Sequence, residues 1–135
     1  MFDLASLRGK NVVLFFYPKA DTPGCTMEAR EFRDAQQEFA GTGTVILGIS
    51  VDKPEKQARF KKRYDLPYTL LSDVDHKVAE AYGVWVEKSM LGRKYMGIAR
   101  TTFLIDKEGK IAKVFEKVKP LGHAGEVYQV CSLAK

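Results

Sequence analysis

The sequence predicts an α/β protein built on one mixed sheet with helices on both faces. Continuous apolar runs alternate with stretches in which apolar residues recur at the three- and four-residue spacing of a helix. Towards the C-terminus, two runs of alternating polarity flank residues 106–109, which is typical of an antiparallel hairpin. We therefore expect the sheet to be parallel first and antiparallel at one edge.

The N-terminal half supplies the first strands and the longest helix. Residues 2–10 resemble a turn region, and residues 11–17 form a continuous apolar run that predicts a buried strand. A helix follows from about residue 25 to residue 40, and residues 44–50 predict a second buried strand. The apolar positions of that helix share one face: Ala29, Phe32, Ala35 and Phe39.

The rest of the chain continues the alternation. The predicted elements are a helix at residues 54–64, a strand at 68–71, a helix at 76–82, a loop with a short hairpin arm at 84–98, strands at 100–105 and 111–115, and a final helix at 124–133. This order fits a thioredoxin-like fold, although order alone would also allow other α/β folds. Because no linker, repeat or low-complexity segment appears, we expect one domain over residues 1–135.

Composition excludes several classes of function. The chain has 135 residues, of which 45% are hydrophobic and 29% charged, as in soluble globular proteins. No apolar run is long enough to cross a bilayer, and the N-terminus lacks the pattern of a secretory signal, which favours a cytoplasmic protein with no membrane role. The net charge is +5, but the basic residues are scattered, so no nucleic-acid surface is predicted.

Two cysteines, Cys25 and Cys131, are too few for a disulfide scaffold. No C-x-x-C motif is present, and His76 and His123 have no partners at metal-ligand spacing, so neither a metal site nor dithiol exchange is predicted. Cys131 lies in the predicted last helix, where a buried apolar thiol is the commoner case. The alternatives are a resolving partner for Cys25 and an intermolecular bridge or free surface thiol.

The stretch YPKADTPGCT, residues 17–26, places Cys25 at or near a helix N-terminus. Unpaired backbone N–H groups and the helix dipole favour a thiolate there. A free thiol has a pKa of about 8.5, and lowering it by about 2 to 3 units takes about 3 to 4 kcal/mol. The dipole contributes about 0.3–1 kcal/mol, and up to about 2 kcal/mol in good geometry, so a nearby cation is also required.

Arg100 is the best candidate for that cation. It lies at the start of a predicted strand, and this end of the strand should lie beside the first strand-to-helix turn. Thr22 can aim its hydroxyl at the same point, and Pro18 can keep water from the sulfur. Glu28, in the first helical turn, either complements the dipole or has a polar role in the site. Lys19 and Asp21 are expected only to solvate the loop.

Several segments together resemble the peroxiredoxins, in particular the bacterioferritin-comigratory protein (Q-type) subfamily. They are YPKADTPGCT, LGIS-VDKPE, LLSDVDH, YGVW and GIAR followed by FLID, and the resemblance covers residues 2 to 133. It implies a thioredoxin-like fold and thiol-dependent reduction of hydrogen peroxide and organic hydroperoxides. It also implies a reductant such as thioredoxin, glutaredoxin or a small thiol, no cofactor, and a monomer or weak dimer.

The resemblance also assigns roles to residues of this chain. Cys25 is the peroxidatic cysteine, which attacks the peroxide as a thiolate and becomes a sulfenic acid. Thr22 hydrogen-bonds the peroxide and the sulfur, and Arg100 holds the thiolate and the substrate. Pro18 shields the site, and Gly24 contributes to substrate binding through the backbone of the turn.

Two departures from the subfamily pattern affect the predicted cycle. Where many members have a resolving cysteine five residues after the peroxidatic one, this chain has Arg30, and Ala79 occupies another such position. The cycle then has either one cysteine, resolved by an external thiol, or an unusual role for Cys131. The same absence supports a second hypothesis, a peroxide sensor or holdase whose Cys25 sulfenic acid signals to a partner. The N-terminal hairpin usual in the family has no counterpart in this sequence.

Overall fold

The computed structural model describes residues 9–133, with the side chains of residues 132 and 133 excepted. The elements run β1 (Asn11–Phe16), α1 (Pro23–Asp34), α2 (Gln36–Gly41), β2 (Thr44–Ser50), α3 (Pro54–Arg63), β3 (Thr69–Ser72), α4 (Lys77–Ala81), β4 (Trp85–Met90), β5 (Arg93–Ile98), β6 (Thr101–Ile105), β7 (Ile111–Phe115) and α5 (His123–Leu133). Most of residues 2–10, the predicted turn region, lies outside the described part.

The central sheet has the order β3-β2-β1-β6-β7. Strand β1 pairs in parallel with β2, which pairs in parallel with β3, whereas β6 runs antiparallel to both β1 and β7. The predicted mixed sheet, parallel first and antiparallel at one edge, is thus confirmed.

Strand β1 is apolar from residue 12 to residue 16, because both of its faces are buried there. Alternate side chains point to opposite faces of a strand, so Phe15 joins one hydrophobic cluster and Phe16 the other. The first cluster takes residues from α1, α3 and α5, including Phe32, whose ring stacks on Phe15 with centroids 4.7 Å apart. The second takes Ala79 from α4. Helices therefore cover both faces, as predicted.

The predicted helix from residue 25 to residue 40 is two helices in the structure. It breaks at Ala35, whose φ of −96° and ψ of 5° end α1 and begin α2. Across the break, Phe39 is fully buried and its ring contacts Phe32, with centroids 5.9 Å apart. A helical spacing of apolar residues does not distinguish one long helix from two helices that share a core, so only packing reveals the turn.

The arm predicted within residues 84–98 is a complete hairpin of β4 and β5, which forms a separate two-stranded sheet. Its turn is Leu91-Gly92, and both residues have positive φ, 53° and 80°. Two-residue turns with positive φ at both positions match the twist of paired strands, which explains the glycine. Within residues 9–133, no helix is long and apolar enough to span a bilayer.

Candidate active site

Cys25 lies in the first turn of α1, as the sequence predicts. The helix begins at Pro23, with Thr22 in an extended conformation before it, and the N–H of Thr26 donates to the Thr22 carbonyl at 2.8 Å. The Cys25 side chain is 1% exposed. The sulfur is therefore seated among the backbone N–H groups that open the helix, where negative charge is favoured.

The Arg100 guanidinium reaches this sulfur. Its Nη2 donates to Cys25 Sγ at 3.2 Å. Arg100 directly precedes β6, whose first residue, Thr101, pairs with Phe16 at the end of β1. The register of the sheet therefore places Arg100 beside the β1–α1 turn. Gly24 leaves room for it, because a Cβ there would lie 3.3 Å from Arg100 Nη2.

Glu28 is the next charged residue of the site. The sequence left two roles open for it, a complement to the helix dipole or a polar role in the site. Arg100 Nη1 donates to Glu28 Oε1 at 2.8 Å, while Glu28 Oε2 is buried with no partner among the described residues. Burial raises the pKa of Glu28 to about 7, although Arg100 opposes the rise. Burial also lowers the pKa of Arg100, but Cys25 and Glu28 raise it more, and the net direction is upward.

Thr22 and Pro18 both lie in the segment between β1 and α1. The Thr22 hydroxyl, however, does not make the expected hydrogen bond to the sulfur. Its hydroxyl donates to the Lys19 carbonyl at 2.8 Å and so closes the loop rather than pointing its proton at the sulfur. A hydroxyl has one proton, and its lone pairs remain available as acceptors. Pro18 is half-buried and directly follows Tyr17, which is fully buried at the end of β1.

Many known proteins are similar to this chain in sequence or in structure. The AhpC/TSA family model matches residues 1–114. The chain is 55% identical over 127 residues to a bcp peroxiredoxin of Coxiella burnetii, which covers 94% of this chain and 84% of that protein. It is 51% identical over 126 residues to peroxiredoxin Bcp of Bacillus subtilis, covering 93% and 80%.

A solved structure of the bacterioferritin comigratory protein of Xanthomonas campestris superposes with a TM-score of 0.96 at 35% identity. The match covers 99% of this chain and 84% of that one. The chain belongs to the AhpC/TSA family, in its Bcp/peroxiredoxin Q group. As a peroxiredoxin it is a thiol-dependent peroxidase with a thioredoxin-like fold, so the predicted family, fold and activity are confirmed.

The second thiol of this peroxiredoxin lies at the other end of the sheet from Cys25. Cys131 is buried in α5 beside Thr44, and burial raises its pKa although Thr44 opposes the rise. Thr44 pairs with Asn11 at the start of β1, whereas Cys25 follows the end of that strand. Five residues of strand span about 16 Å, and a disulfide needs α-carbons within about 7 Å. This arrangement argues against the resolving role considered for Cys131.

The two positions at which other members of the subfamily carry a resolving cysteine hold other residues in this chain. Arg30, five residues after Cys25, is exposed on α1, and Ala79 is buried in the second core cluster. Cys25 and Cys131 both carry free thiols. Within residues 9–133, therefore, no second thiol lies beside Cys25.

Asp21 is not merely a solvated loop residue, contrary to the prediction. Its carboxylate accepts from Arg63 Nη1 and from the Tyr64 hydroxyl, both at 2.9 Å. These bonds tie the loop before Cys25 to the C-terminal end of α3. Asp21 also has a φ of 62°, a conformation that short polar side chains tolerate better than most. No local sequence signal connects residues more than 40 positions apart.

A buried polar network anchors the other side of the same loop. The Tyr17 hydroxyl donates to Gln57 Oε1 at 2.5 Å, and Gln57 Nε2 donates to Ser50 Oγ at 3.0 Å. Ser50 donates to Asp52 Oδ2 at 2.7 Å, which also accepts from the Ala20 N–H at 2.6 Å. Burial raises the pKa of Tyr17, and the Cys25 charge adds to the rise, so this tyrosine stays a neutral donor.

Proposed function

We propose that Cys25 is the peroxidatic thiol of this peroxidase and that it reduces hydrogen peroxide and alkyl hydroperoxides. One observation carries the proposal: Arg100 Nη2 donates to the Cys25 sulfur at 3.2 Å, in the first turn of α1. A guanidinium is permanently charged, so it supplies the cation that the helix dipole alone could not replace. The extension to alkyl peroxides is supported by the Xanthomonas campestris relative, whose structures are described in terms of alkyl peroxide reduction.

The reaction balances with the groups at the site. The Cys25 thiolate attacks one oxygen of the peroxide, the S–O bond forms as the O–O bond breaks, and the sulfur is oxidised to a sulfenic acid. The other oxygen leaves as hydroxide or alkoxide, takes up from solvent the proton that the Cys25 thiol released on ionising, and departs as water or alcohol. Arg100 and the N–H groups of the turn at Gly24 stabilise the charge that develops on that oxygen.

Thr22 and Pro18 hold and shield the substrate in this scheme. Because the Thr22 proton is directed at the Lys19 carbonyl, the Thr22 oxygen is suited to accept a hydrogen bond from the O–H of the peroxide. Pro18 limits the access of water to the sulfur. Glu28 acts through Arg100, since it occupies Nη1 and leaves Nη2 directed at Cys25.

The reductant in this proposal is an external thiol, namely thioredoxin, glutaredoxin or a small thiol. Cys131 lies about a strand length away, and the position five residues after Cys25 is Arg30. The thiol attacks the sulfenic acid to give a mixed disulfide and water, and a second thiol releases Cys25. Because Cys25 is 1% exposed, this step requires the first turn of α1 to open. We propose a reducing, cytoplasmic setting and a monomer or weak dimer.

Two variants and one mass measurement test the proposal. With hydrogen peroxide and a thioredoxin system, Cys25→Ser should consume no peroxide, whereas Cys131→Ser should match the wild type. The intact mass after one equivalent of peroxide should increase by one oxygen. Equal peroxide consumption by Cys25→Ser would refute the role of Cys25. Loss of two hydrogens would instead show a Cys25–Cys131 disulfide, and doubled mass an intersubunit bridge.

A peroxide sensor or holdase remains the second candidate. One observation favours it: with Cys131 at the far end of the sheet, a Cys25 sulfenic acid has no thiol of its own chain nearby to consume it. A longer-lived sulfenic acid could pass its oxidation to a partner protein. A partner trapped as a mixed disulfide with Cys25, together with slow turnover in the peroxidase assay, would select this function.

A further inference from the structure

The Arg100 guanidinium contacts two acidic side chains at once. Its Nη2 donates to Cys25 Sγ at 3.2 Å, and its Nη1 donates to Glu28 Oε1 at 2.8 Å. Cys25 is 1% exposed and Glu28 is 0% exposed. Among the described residues, no other cation lies within ion-pair distance of Glu28. One guanidinium therefore lies between two buried groups, each of which can carry a negative charge.

Burial limits the charge that these three groups can hold together. If Cys25 and Glu28 are both ionised, they outnumber the single positive charge of Arg100, whereas with one of them protonated the site is neutral. An uncompensated charge in a buried site is costly, because the protein interior solvates it less well than water does. The folded site therefore favours one anion beside Arg100 and one protonated acid.

The geometry selects which of the two acids is protonated in the reduced enzyme. The Cys25 sulfur lies in the first turn of α1, where the backbone N–H groups favour negative charge. Glu28 Oε2, by contrast, is buried with no hydrogen-bond partner among the described residues. A carboxylate spreads its charge over both oxygens, so an unpartnered Oε2 makes the ionised form costly. Burial accordingly raises the pKa of Glu28 to about 7, against the opposing effect of Arg100.

Oxidation of Cys25 reverses this preference. A sulfenic acid is neutral, so Arg100 loses the thiolate as its ionic partner when the sulfur is oxidised. Glu28 is then the remaining anion that contacts the guanidinium. The attraction between opposite charges favours the ionised carboxylate, and no thiolate is left to oppose it.

We propose that Glu28 is a redox-linked proton site, which is protonated while Cys25 is a thiolate and ionises when Cys25 becomes a sulfenic acid. Glu28 is a positioning residue in this scheme, since it acts on the sulfur through Arg100. The inference rests on the proposed role of Cys25 and names the partner reaction of its oxidation.

The proposed step balances in protons and electrons. The thiolate gives two electrons to the peroxide, the S–O bond forms, the O–O bond breaks, and the leaving oxygen takes one proton from solvent. Glu28 releases one proton to solvent in the same step, so the bulk solution loses none. When an external thiol later restores the thiolate, the proton that this exchange sets free returns to Glu28.

Glu31 and Tyr68 are the other titratable groups that act on Glu28. The Glu31 charge, on the same helix, opposes the ionisation of Glu28. Burial raises the pKa of Tyr68 well above its usual value, so this side chain stays neutral. In the part of the chain that the structure describes, neither group hydrogen-bonds the guanidinium or the sulfur. Neither therefore changes its partners when Cys25 is oxidised.

The test counts the protons taken up when Cys25 is oxidised. The wild type and Glu28→Gln are compared in a Cys131→Ser background, so that only Cys25 reacts. One equivalent of hydrogen peroxide is mixed with the reduced protein in weakly buffered solution, and an indicator dye reports the pH change. The intact mass gives the fraction of Cys25 oxidised. Glu38→Gln is the matched control, because Glu38 is an exposed glutamate on α2 and the net charge changes equally.

Glu28→Gln should take up about one proton for each Cys25 oxidised at pH 6.5, because the amide has no proton to release. The wild type and Glu38→Gln should take up less than about half a proton, since a carboxyl with a pKa of about 7 is mostly protonated there. The difference should disappear well above pH 7, where Glu28 is ionised before peroxide is added.

Infrared difference spectra provide a readout that does not need the variant to fold. Oxidation of the wild type should remove the C=O stretch of one protonated carboxyl group, and ¹³C-labelled glutamate should shift this band. In Glu28→Gln the band should be missing. Such a band change does not follow from a merely structural role of Glu28.

The outcomes separate the role of Glu28 from that of Cys25. If the wild type takes up as many protons as Glu28→Gln, if Glu38→Gln behaves like Glu28→Gln, or if no carboxyl band is lost, the role of Glu28 is wrong. If Cys25 is oxidised but Glu28→Gln takes up no proton, the sulfur starts as a neutral thiol and the inference fails with that premise. If the mass shows no oxidation of Cys25, its proposed role is wrong and the inference falls with it.

Discussion

The protonation of Glu28 depends strongly on its surroundings. It is fully buried, and only one of its two carboxylate oxygens has a partner, the Arg100 guanidinium. Burial raises the pKa of Glu28 to about 7, despite the opposing effect of Arg100. Because the pKa in the folded state exceeds that in the unfolded chain, folding favours the protonated acid, and ionisation of Glu28 costs stability.

We predict that the stability of Glu28→Gln relative to the wild type increases as pH rises. The contribution of Glu28 to the free energy of unfolding is fully present below pH 4.5 and is lost as pH rises through about 7. A shift of this size corresponds to about 3 kcal/mol. Urea unfolding at pH 5 and pH 8 measures it, with both proteins at each pH.

The comparison between the two pH values isolates this carboxylate. Any constant cost of placing an amide at position 28 cancels, and His123 titrates equally in both proteins. A difference in unfolding free energy that stays the same at pH 5 and pH 8 would contradict the assignment. The peroxide rate of the variant should also fall, because a neutral amide holds the Arg100 guanidinium less firmly than a carboxylate does.

The loop between β1 and α1 is the element on which the chemistry depends, and α3 and β2 hold it in place. The α3 end contributes Arg63 and Tyr64 to Asp21, and the residues after β2 contribute Asp52 to Ala20. The Asp21–Arg63 pair is largely exposed, with 66% of the arginine side chain accessible, so it is worth little to global stability. Its value is local, in holding the loop that precedes Cys25.

Asp21→Asn should loosen this loop without unfolding the protein. Asparagine tolerates the positive φ at this position, so only the charge is lost. We expect the melting temperature to change by no more than about 4 °C, and hydrogen exchange in residues 18–26 to rise several-fold.

Glu108→Gln is the matched control for this substitution. Glu108 also forms an exposed ion pair, with Lys110 at 3.6 Å, but in the turn between β6 and β7, at the other end of the sheet from the loop. If both variants gave the same exchange in residues 18–26, or if neither differed from the wild type, the clamp on the loop would be disproved.

At the scale of the whole molecule, α5 is held to the sheet through His123. The imidazole is 2% exposed, with Nδ1 at 3.1 Å from Glu126 Oε1 and Nε2 at 2.7 Å from Thr102 Oγ1 on β6. An ionised carboxylate only accepts, so Nδ1–H donates to Glu126. The Phe32 and Phe115 rings meet the imidazole edge-on. Burial favours the neutral imidazole, and in that form Nε2 accepts from the Thr102 hydroxyl.

Acid should accordingly weaken the whole fold through His123. Burial lowers the pKa of His123 below the ordinary 6.5, against the opposing effect of Glu126. The unfolded chain then binds more protons, so this contribution to stability is present above pH 6.5 and is lost as pH falls towards the lowered value. In chemical unfolding from pH 7.5 to pH 5, the free energy of unfolding of the wild type should fall relative to that of His123→Gln.

His76→Gln provides the control, because His76 is a half-exposed histidine on the other face of the sheet, stacked on Trp85. Glu28 titrates in the opposite sense over part of this range, but it is present in every variant. If the difference in free energy of unfolding between His123→Gln and the wild type stayed constant from pH 7.5 to pH 5, the lowered pKa would be excluded.

Local patterns in the sequence were enough for the elements and for the position of Cys25. Strand β1 is apolar because both of its faces are covered, and the proline-bracketed turn before Cys25 starts a helix whatever surrounds it. These features depend on backbone sterics and on burial within a few residues, which the order of residues specifies. The predicted helix that breaks at Ala35 marks the limit, because two helices packed on one core share the spacing of one.

Only the tertiary structure decided which charges meet. Arg100 was predicted to reach Cys25, but its second partner, Glu28, and the ties of Asp21 to α3 join residues 42 to 72 positions apart. The same sheet register places Cys131 beside Thr44, at the wrong end for Cys25. Electrostatic interactions depend on distances between side chains, and these are set by strand pairing and packing, which no local pattern encodes.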